Sequence, residues 1–369
     1  MSGVAKPVTD AVAALEAARV TPVAPGAPLV PGAVGLLAIG DDVLTTHVTG
    51  SAVLYDDSAA LLSEHDRVPM RPDTVFDVAS LTKLFTATVA MQQVEAGSLD
   101  LDAPVAAYLT EFAAGGKAAI TVRQLLTHTS GLEWWLPLWR DWPTREARIH
   151  AALTHPPATR PGERFVYSDL NLITLGIVLE QLGGASLDVL VHDGVTAPLG
   201  MRDTGFIPRL GHVPAERFAA TEIEDDAGRG LVRGEVHDEN AWSLGGVSGH
   251  AGVFSTAADL LRFAQVFTGD EPRILSTDSV IAMTTNLNPD LPEDSHGLGF
   301  EIDQPRYMGE LSGPQTIGHT GFTGTSLVAD LASGATAILL TNAVHPHRPE
   351  TSINALRAAW ATGAARSAR

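Results

Sequence analysis

The chain has 369 residues, of which 45% are apolar and 18% charged, with a formal net charge of −19 at neutral pH. That length and balance give a folded, soluble protein with ample core; the excess of acid argues against nucleic acid or an anionic membrane surface as partner. There is no cysteine, which excludes disulfides, thiolate metal sites and a cysteine nucleophile.

In chain order, residues 1–20 read as a short amphipathic helix. No continuous apolar run stands behind a basic start, so cytoplasmic residence is the expectation, and no later run approaches the length of a membrane span. Residues 21–32, rich in Pro, Gly and Val, read as a connector. Residues 33–39 and 43–48 are apolar or β-branched runs around Gly40-Asp41-Asp42, the pattern of a hairpin. After Ser80, the positions Leu84, Thr88, Met91 and Val94 follow helical spacing up to Gly97. Thr121-Val-Arg-Gln124 has the form of a capping box. A helix from Ser168 or Asp169 runs to Gly183-Gly184, and another is capped by Ser255-Thr256 and ends near Thr268. Residues 325–329 and 335–340 form a second hairpin around Asp330-Leu-Ala-Ser-Gly334, and residues 351–365 read as a closing helix with arginines at its C-terminal end.

Strands thus gather at both ends of the sequence and helices in the middle. The fold class expected is α/β (α+β): an antiparallel sheet flanked by helices, with a mostly helical lobe inserted. As a single domain, the sheet lobe takes about 1–85 and 290–369, and the helical lobe about 86–289. A cleft between such lobes is a common place for a ligand.

Only three lysines occur, at positions 6, 83 and 117, against twenty-one arginines. Lys83 follows Ser80 in Ser80-Leu81-Thr82-Lys83, and an i,i+3 pair shares one helical face. Arginine cannot replace this lysine as a base, because a guanidinium does not lose its proton in proteins whereas a buried amine can. Ser-x-x-Lys is the arrangement of an activated nucleophile, although by itself it also describes a solvated lysine at a helix start. Tyr167 stands in Tyr167-Ser-Asp169, just before a helix, where it can project into a cleft or serve as a rim tyrosine. Ile317-Gly-His-Thr-Gly-Phe-Thr-Gly-Thr325 leads into the second hairpin, and its glycines let a ligand approach the backbone. His237-Asp-Glu-Asn240 and His250 lack helical spacing or a matched second pair of ligands, so no metal and no cofactor is expected. His128 reads as a structural loop histidine.

Together, Ser-x-x-Lys, Tyr167-Ser-Asp169 and His319-Thr-Gly321 resemble the three signature elements of the serine β-lactamase superfamily. The resemblance is to the branch with class C β-lactamases, D,D-peptidases and β-lactamase-like esterases. Leu125-Leu-Thr-His-Thr-Ser-Gly-Leu132, Pro198-Leu-Gly-Met201 and residues 244–255 add to it, over about residues 30–360. The resemblance implies that Ser80 forms an acyl-enzyme, with Lys83 and Tyr167 sharing general acid and base work. It further implies an oxyanion hole from the N–H groups of Ser80 and Phe322, and an edge strand, His319, Thr320 and Gly321, along which substrate lies. Asp169 takes the position of the Asn in the family's Tyr-x-Asn, and His319 that of the Lys in Lys-Thr-Gly. A carboxylate beside Lys83 favours the ammonium, and a histidine grips a substrate carboxylate less firmly than lysine does. Asn171, two residues on, is a candidate substitute for the missing amide.

Four of the six tryptophans crowd into residues 132–142. Trp134 and Trp135 suit a hydrophobic wall over the cleft for an apolar acyl or alcohol group, or equally a small satellite core under a long loop.

These features point first to a serine carboxylesterase acting on a small-molecule ester. The alternatives are a peptidoglycan-fragment or D-amino-acid amidase or peptidase, a weak β-lactamase, an acyltransferase and, outside the enzymes, a silent binding module on the same scaffold. The oligomeric state is open.

Overall fold

The computed structural model describes residues 2–20, 22–24, 27–269, 274–291 and 295–369. Its main sheet has seven strands: β1 Gly32–Ile39, β2 Asp42–Val53, β3 Val68–Pro69, β4 Glu301–Ile302, β5 Thr316–Thr320, β6 Ser326–Asp330 and β7 Ala335–Thr341. Their order is β4-β5-β6-β7-β1-β2-β3, every pair antiparallel. The two hairpins read from the sequence are β1–β2 and β6–β7, and they join through the β7–β1 pairing, which aligns Ala335 with Ile39 and Thr341 with Ala33. Both ends of the chain therefore build one sheet.

The central strands alternate between two cores, as the period of two requires. In β1, Ala33 and Leu37 face one side and Val34, Leu36 and Ala38 the other; in β7, Ala337 and Leu339 oppose Ile338 and Leu340. The first side packs on the terminal helices α1 (Ser2–Val20) and α5 (Asn354–Ser367) through Ala11, Leu15, Leu356, Trp360 and Ala364. The second packs on α2 (Thr82–Glu95) and α4 (Ala257–Thr268) through Leu84, Phe85, Leu260 and Phe263, with the Phe85 and Phe263 rings stacked at 4.5 Å. A sheet buried on both faces explains why β1 and β7 read as nearly unbroken apolar runs.

Helix boundaries follow their caps. Thr121 closes a capping box with Gln124, Thr256 accepts from the Asp259 N–H, and α3 (Asp169–Gly183) stops at Gly184 in the left-handed region. The middle of the chain is helical with two small sheets added. Phe76–Asp77, Val253–Ser255 and Gly205–Phe206 make a small three-stranded sheet, and Ala220–Glu224 pairs with Gly230–Arg233. These runs are too short to show a period in sequence. The connector at 21–32 lies partly outside the described residues, with Gly32 already in β1. Among the described residues no single helix is long and apolar enough to cross a membrane.

Candidate active site

The turn that carries Ser80 is built by the residues before it. Ala79 has φ +48°, an uncommon region for a residue with a Cβ, and its N–H donates to Asp77 Oδ1 at 2.8 Å. The other oxygen of Asp77, Oδ2, accepts from the His237 N–H at 2.6 Å, and the Asp77 carbonyl accepts from Thr323 Oγ1 at 2.7 Å. Asp77 therefore ties the Ser80 turn to the loop of His237 and to the turn between β5 and β6. A buried aspartate spaced among apolar residues gave no pattern by which sequence could single it out.

At the start of α2, one turn after Ser80, Lys83 Nζ donates to Ser80 Oγ at 2.8 Å and to the His250 carbonyl at 3.3 Å, and lies 4.7 Å from the centre of the Tyr167 ring. Its ion pair with Asp169 Oδ1 is also 2.8 Å. Burial alone would strip the lysine of its proton, but Asp169 and the Tyr167 oxygen outweigh it and hold the Lys83 pKa above the usual lysine range. The balance favours the ammonium at rest, as the carboxylate beside it implied, so Lys83 must lose a proton before it can act as base. Burial likewise raises the Tyr167 pKa, against the pull of Lys83, so the phenol keeps its proton.

Tyr167 is set by the loop of residues 127–135. The His128 ring lies 4.7 Å from the Tyr167 ring, and its Nδ1 accepts from the Ser168 N–H at 3.0 Å and from Asn171 Nδ2 at 3.1 Å. Burial, then the neighbouring His296, keeps His128 neutral. Its role in the fold is structural, as its sequence context indicated. Asn171 donates through Nδ2 to His128 and accepts through Oδ1 from the Ser130 hydroxyl at 2.6 Å. It is buried under the site and does not stand in for the amide that Asp169 lacks.

The β5 end closes the other side. Gly321 is needed for close approach: a Cβ there would sit 2.5 Å from the Val78 carbonyl and against Thr325 Oγ1. Its carbonyl accepts from Arg357 Nη2 at 2.7 Å, so α5 anchors this turn. The β5–β6 ladder ends at the Thr320–Ser326 pair, leaving Phe322 outside it, with its ring 59% exposed. His319 Nδ1 donates to the Thr320 carbonyl at 2.8 Å and its Nε2 is buried without a partner. Burial, with Lys83 nearby, pushes its pKa down to about 3. His319 is thus a neutral ring with a bare acceptor, where a lysine would have presented a cation.

Ser80 and Tyr167 face two cavities. One, of about 440 Å³, is lined by His319, Thr320, Gly321, Phe322, Arg306 and Ile353. The other, of about 410 Å³, is lined by Trp134, Trp135, Trp139, Asp169, Asp238 and Phe322. Trp134 and Trp135 stack at 5.7 Å, and Trp134 is 62% exposed at the rim. The tryptophan cluster therefore divides: three rings wall the cavity, while Trp142 packs against the main core.

Two groups of acidic and histidine side chains flank the site. Asp238 bonds to His250 Nε2 at 2.8 Å beside Asp169, while Glu222 and Glu224 surround His237. Each already has cationic partners, Lys83 for the first and Arg229 and Arg348 for the second.

The match to known proteins agrees with this geometry. The beta-lactamase family model matches residues 29–361. A putative D-alanyl-D-alanine carboxypeptidase of Escherichia coli K12 is 30% identical over 354 residues, covering 86% of this chain and 79% of that protein. Among solved structures, a class C beta-lactamase in complex with cefoxitin superimposes with TM-score 0.74 at 21% identity, covering 99% of both chains. EstCE1, a hydrolase with promiscuous acyltransferase activity, gives 0.73 at 22% identity over 98% of both. With a family match across nearly its whole length and the corresponding fold, this chain belongs to the beta-lactamase family.

Proposed function

We propose that the protein is a serine hydrolase that takes an acyl group onto Ser80, and that its substrates are small uncharged carboxylic esters. The observation that carries this reading is the 2.8 Å contact of Ser80 Oγ with Lys83 Nζ, with Tyr167 alongside, where two cavities meet.

For Ser80 to attack a carbonyl, Lys83 must first release a proton. Asp169 Oδ1, at 2.8 Å from Nζ, is within reach to receive it. Lys83 then accepts the Ser80 proton, the Oγ–carbon bond forms, and the N–H groups of Ser80 and Phe322 stabilise the oxyanion. As the tetrahedral species collapses, Tyr167 protonates the leaving alcohol, and the reverse relay admits water for deacylation. An alcohol acceptor in place of water would give acyl transfer by the same steps.

The preference for uncharged esters rests on charge. His319 supplies no cation, and two of the three arginines that line the larger cavity carry their own counterions: Arg306 with Glu301, and Arg348 with Glu222 and Glu239; Arg357 is held by the Gly321 and Thr325 carbonyls. The tryptophan wall adds apolar surface beside Ser80. A second reading, cleavage of a D,D-peptide, draws on Arg306, Arg348 and Arg357 all lining that larger cavity and on the name of the E. coli relative. A fluorophosphonate followed by intact-mass analysis tests the nucleophile. One adduct on the wild type and none on Ser80→Ala is expected; an equal adduct on both removes the reading. A panel of short-chain p-nitrophenyl esters, nitrocefin and a D-Ala-D-Ala peptide tests the substrate class. Faster cleavage of nitrocefin or peptide than of every ester would reverse the preference.

A further inference from the structure

Phe322 borders both cavities, as Tyr167 does, and among the described residues it is the one phenylalanine, tryptophan or aliphatic side chain that lines both; more than half of it is in contact with solvent. An aromatic ring in that position ordinarily swings between rotamers. Here two groups restrain it. The His237 ring stacks at 5.7 Å with an interplanar angle of 19°, and the Arg348 guanidinium centre lies 5.1 Å from the ring centre.

Both restraints depend on one carboxylate. Glu222 Oε2 bonds to His237 Nε2 at 2.8 Å and accepts from Arg348 Nε at 2.6 Å. Arg348 Nη2 is further fixed by Glu239 Oε1 at 2.6 Å. His237 is itself buried and held through its N–H by Asp77, whose carbonyl accepts from Thr323, the residue after Phe322. The circuit Asp77–His237–Phe322–Thr323 closes on the residue that also shapes the Ser80 turn.

We propose that Phe322 is a specificity partition separating the two sides of the site, and that Glu222, His237 and Arg348 are positioning residues that hold its ring in place. The partition limits the bulk of an acyl or alcohol group to what one cavity accommodates beside Ser80. This rests on Ser80 being the acylated residue. Because the ring and the amide proposed for the oxyanion belong to the same residue, the restraint on size and the alignment of that amide are linked.

The test compares kcat/KM for p-nitrophenyl acetate and p-nitrophenyl 2-phenylbutyrate in the full chain. Phe322→Ala should raise the ratio of bulky to small ester by at least about fivefold, within the range that apolar pocket contacts discriminate. Glu222→Ala should raise it in the same direction in wild type and leave it unchanged in the Phe322→Ala background. Arg348→Ala, at an exposed position, makes the same comparison if Glu222→Ala does not fold, and Arg348→Lys should restore part of the discrimination. A folded Glu222→Ala or Arg348→Ala enzyme with the wild-type ratio overturns the proposal. So does an equal change in the Phe322→Ala background. Where ester turnover is too slow to measure, labelling rates of small and bulky fluorophosphonates give the same ratio. Labelling at Ser80 with a size preference indifferent to Phe322 sinks the partition alone, whereas no labelling at Ser80 sinks the hydrolase reading together with it.

Discussion

Lys83 and Asp169 form an ion pair of 2.8 Å in which the lysine side chain is 1% exposed and the aspartate keeps 18%. An isolated ammonium buried that deeply would give up its proton; the carboxylate at its side reverses the outcome. The family's usual amide at this position cannot do so. Asp169→Asn should therefore leave burial dominant and lower the Lys83 pKa. The rising acid limb of ester kcat/KM is expected to move down by at least about one pH unit. Stopped-flow assays from about pH 7 to 11 measure it, because Lys83 titrates above the usual lysine range in the wild type, and an unmoved limb would mean that Lys83 is not the group that titrates.

Lys83→Ala should lower ester turnover at least about a hundredfold, the usual worth of general-base help. Lys83→Arg should be no better, because a guanidinium keeps its proton. Near-normal hydrolysis of p-nitrophenyl butyrate by either variant would contradict the proposed relay.

Gly321→Ala puts a methyl group 2.5 Å from the Val78 carbonyl, which belongs to the turn that presents Ser80. The Val78 carbonyl is backbone and cannot swing aside, so the β5–β6 turn must move. We expect a stability loss of about 1–3 kcal/mol by urea unfolding, with a disproportionate fall in kcat because the Phe322 amide shifts. Wild-type kcat in a destabilised variant would separate that amide from catalysis.

Buried neutral histidines set the acid limit of the fold. His345 Nε2 accepts from the N–H groups of Leu54 and Tyr55 at 3.0 and 3.1 Å, and Nδ1 donates to the Thr221 carbonyl at 3.0 Å. Burial pushes its pKa down to about 4, and that of His319 to about 3. Each binds a proton more readily when unfolded, so its contribution is present above the unfolded value near 6.5 and is lost as pH falls toward the folded value. His237 works in the opposite sense, since its carboxylate neighbours overcome burial and raise its pKa. Stability should fall from about pH 6.5 to 4. His345→Gln should cost about 1–3 kcal/mol at pH 7 while flattening that slope. Equilibrium urea titrations at pH 7 and 5 give both quantities, and an unchanged slope would exclude His345 from the transition.

Much of the fold was legible because strand and helix periods are local. The apolar runs of β1 and β7, the capping box at Thr121 and the stop at Gly184 each show within a few residues. The small sheet of Phe76–Asp77, Gly205–Phe206 and Val253–Ser255 did not, because two or three residues carry no period and their partners lie far away along the chain. At the site, Ser80 and Lys83 share one helical turn, so their meeting follows from spacing alone. Asp77 and Glu222, on short strands, and His237 and Arg348, on loops, converge from separate parts of the chain. Asn171 shows the opposite error: two residues from Asp169 in sequence, it turns away into the hydrogen bonds of Ser130 and His128.

By itself, then, the sequence determined the longer helices, the two hairpins and the serine–lysine pair, since each depends on neighbours within a helix turn or a hairpin. Only the tertiary structure decided the charge on Lys83, the neutrality of His319 and the restraint on Phe322. Those depend on how far water is excluded and which carboxylate is brought near, and both are set by chain segments distant in sequence.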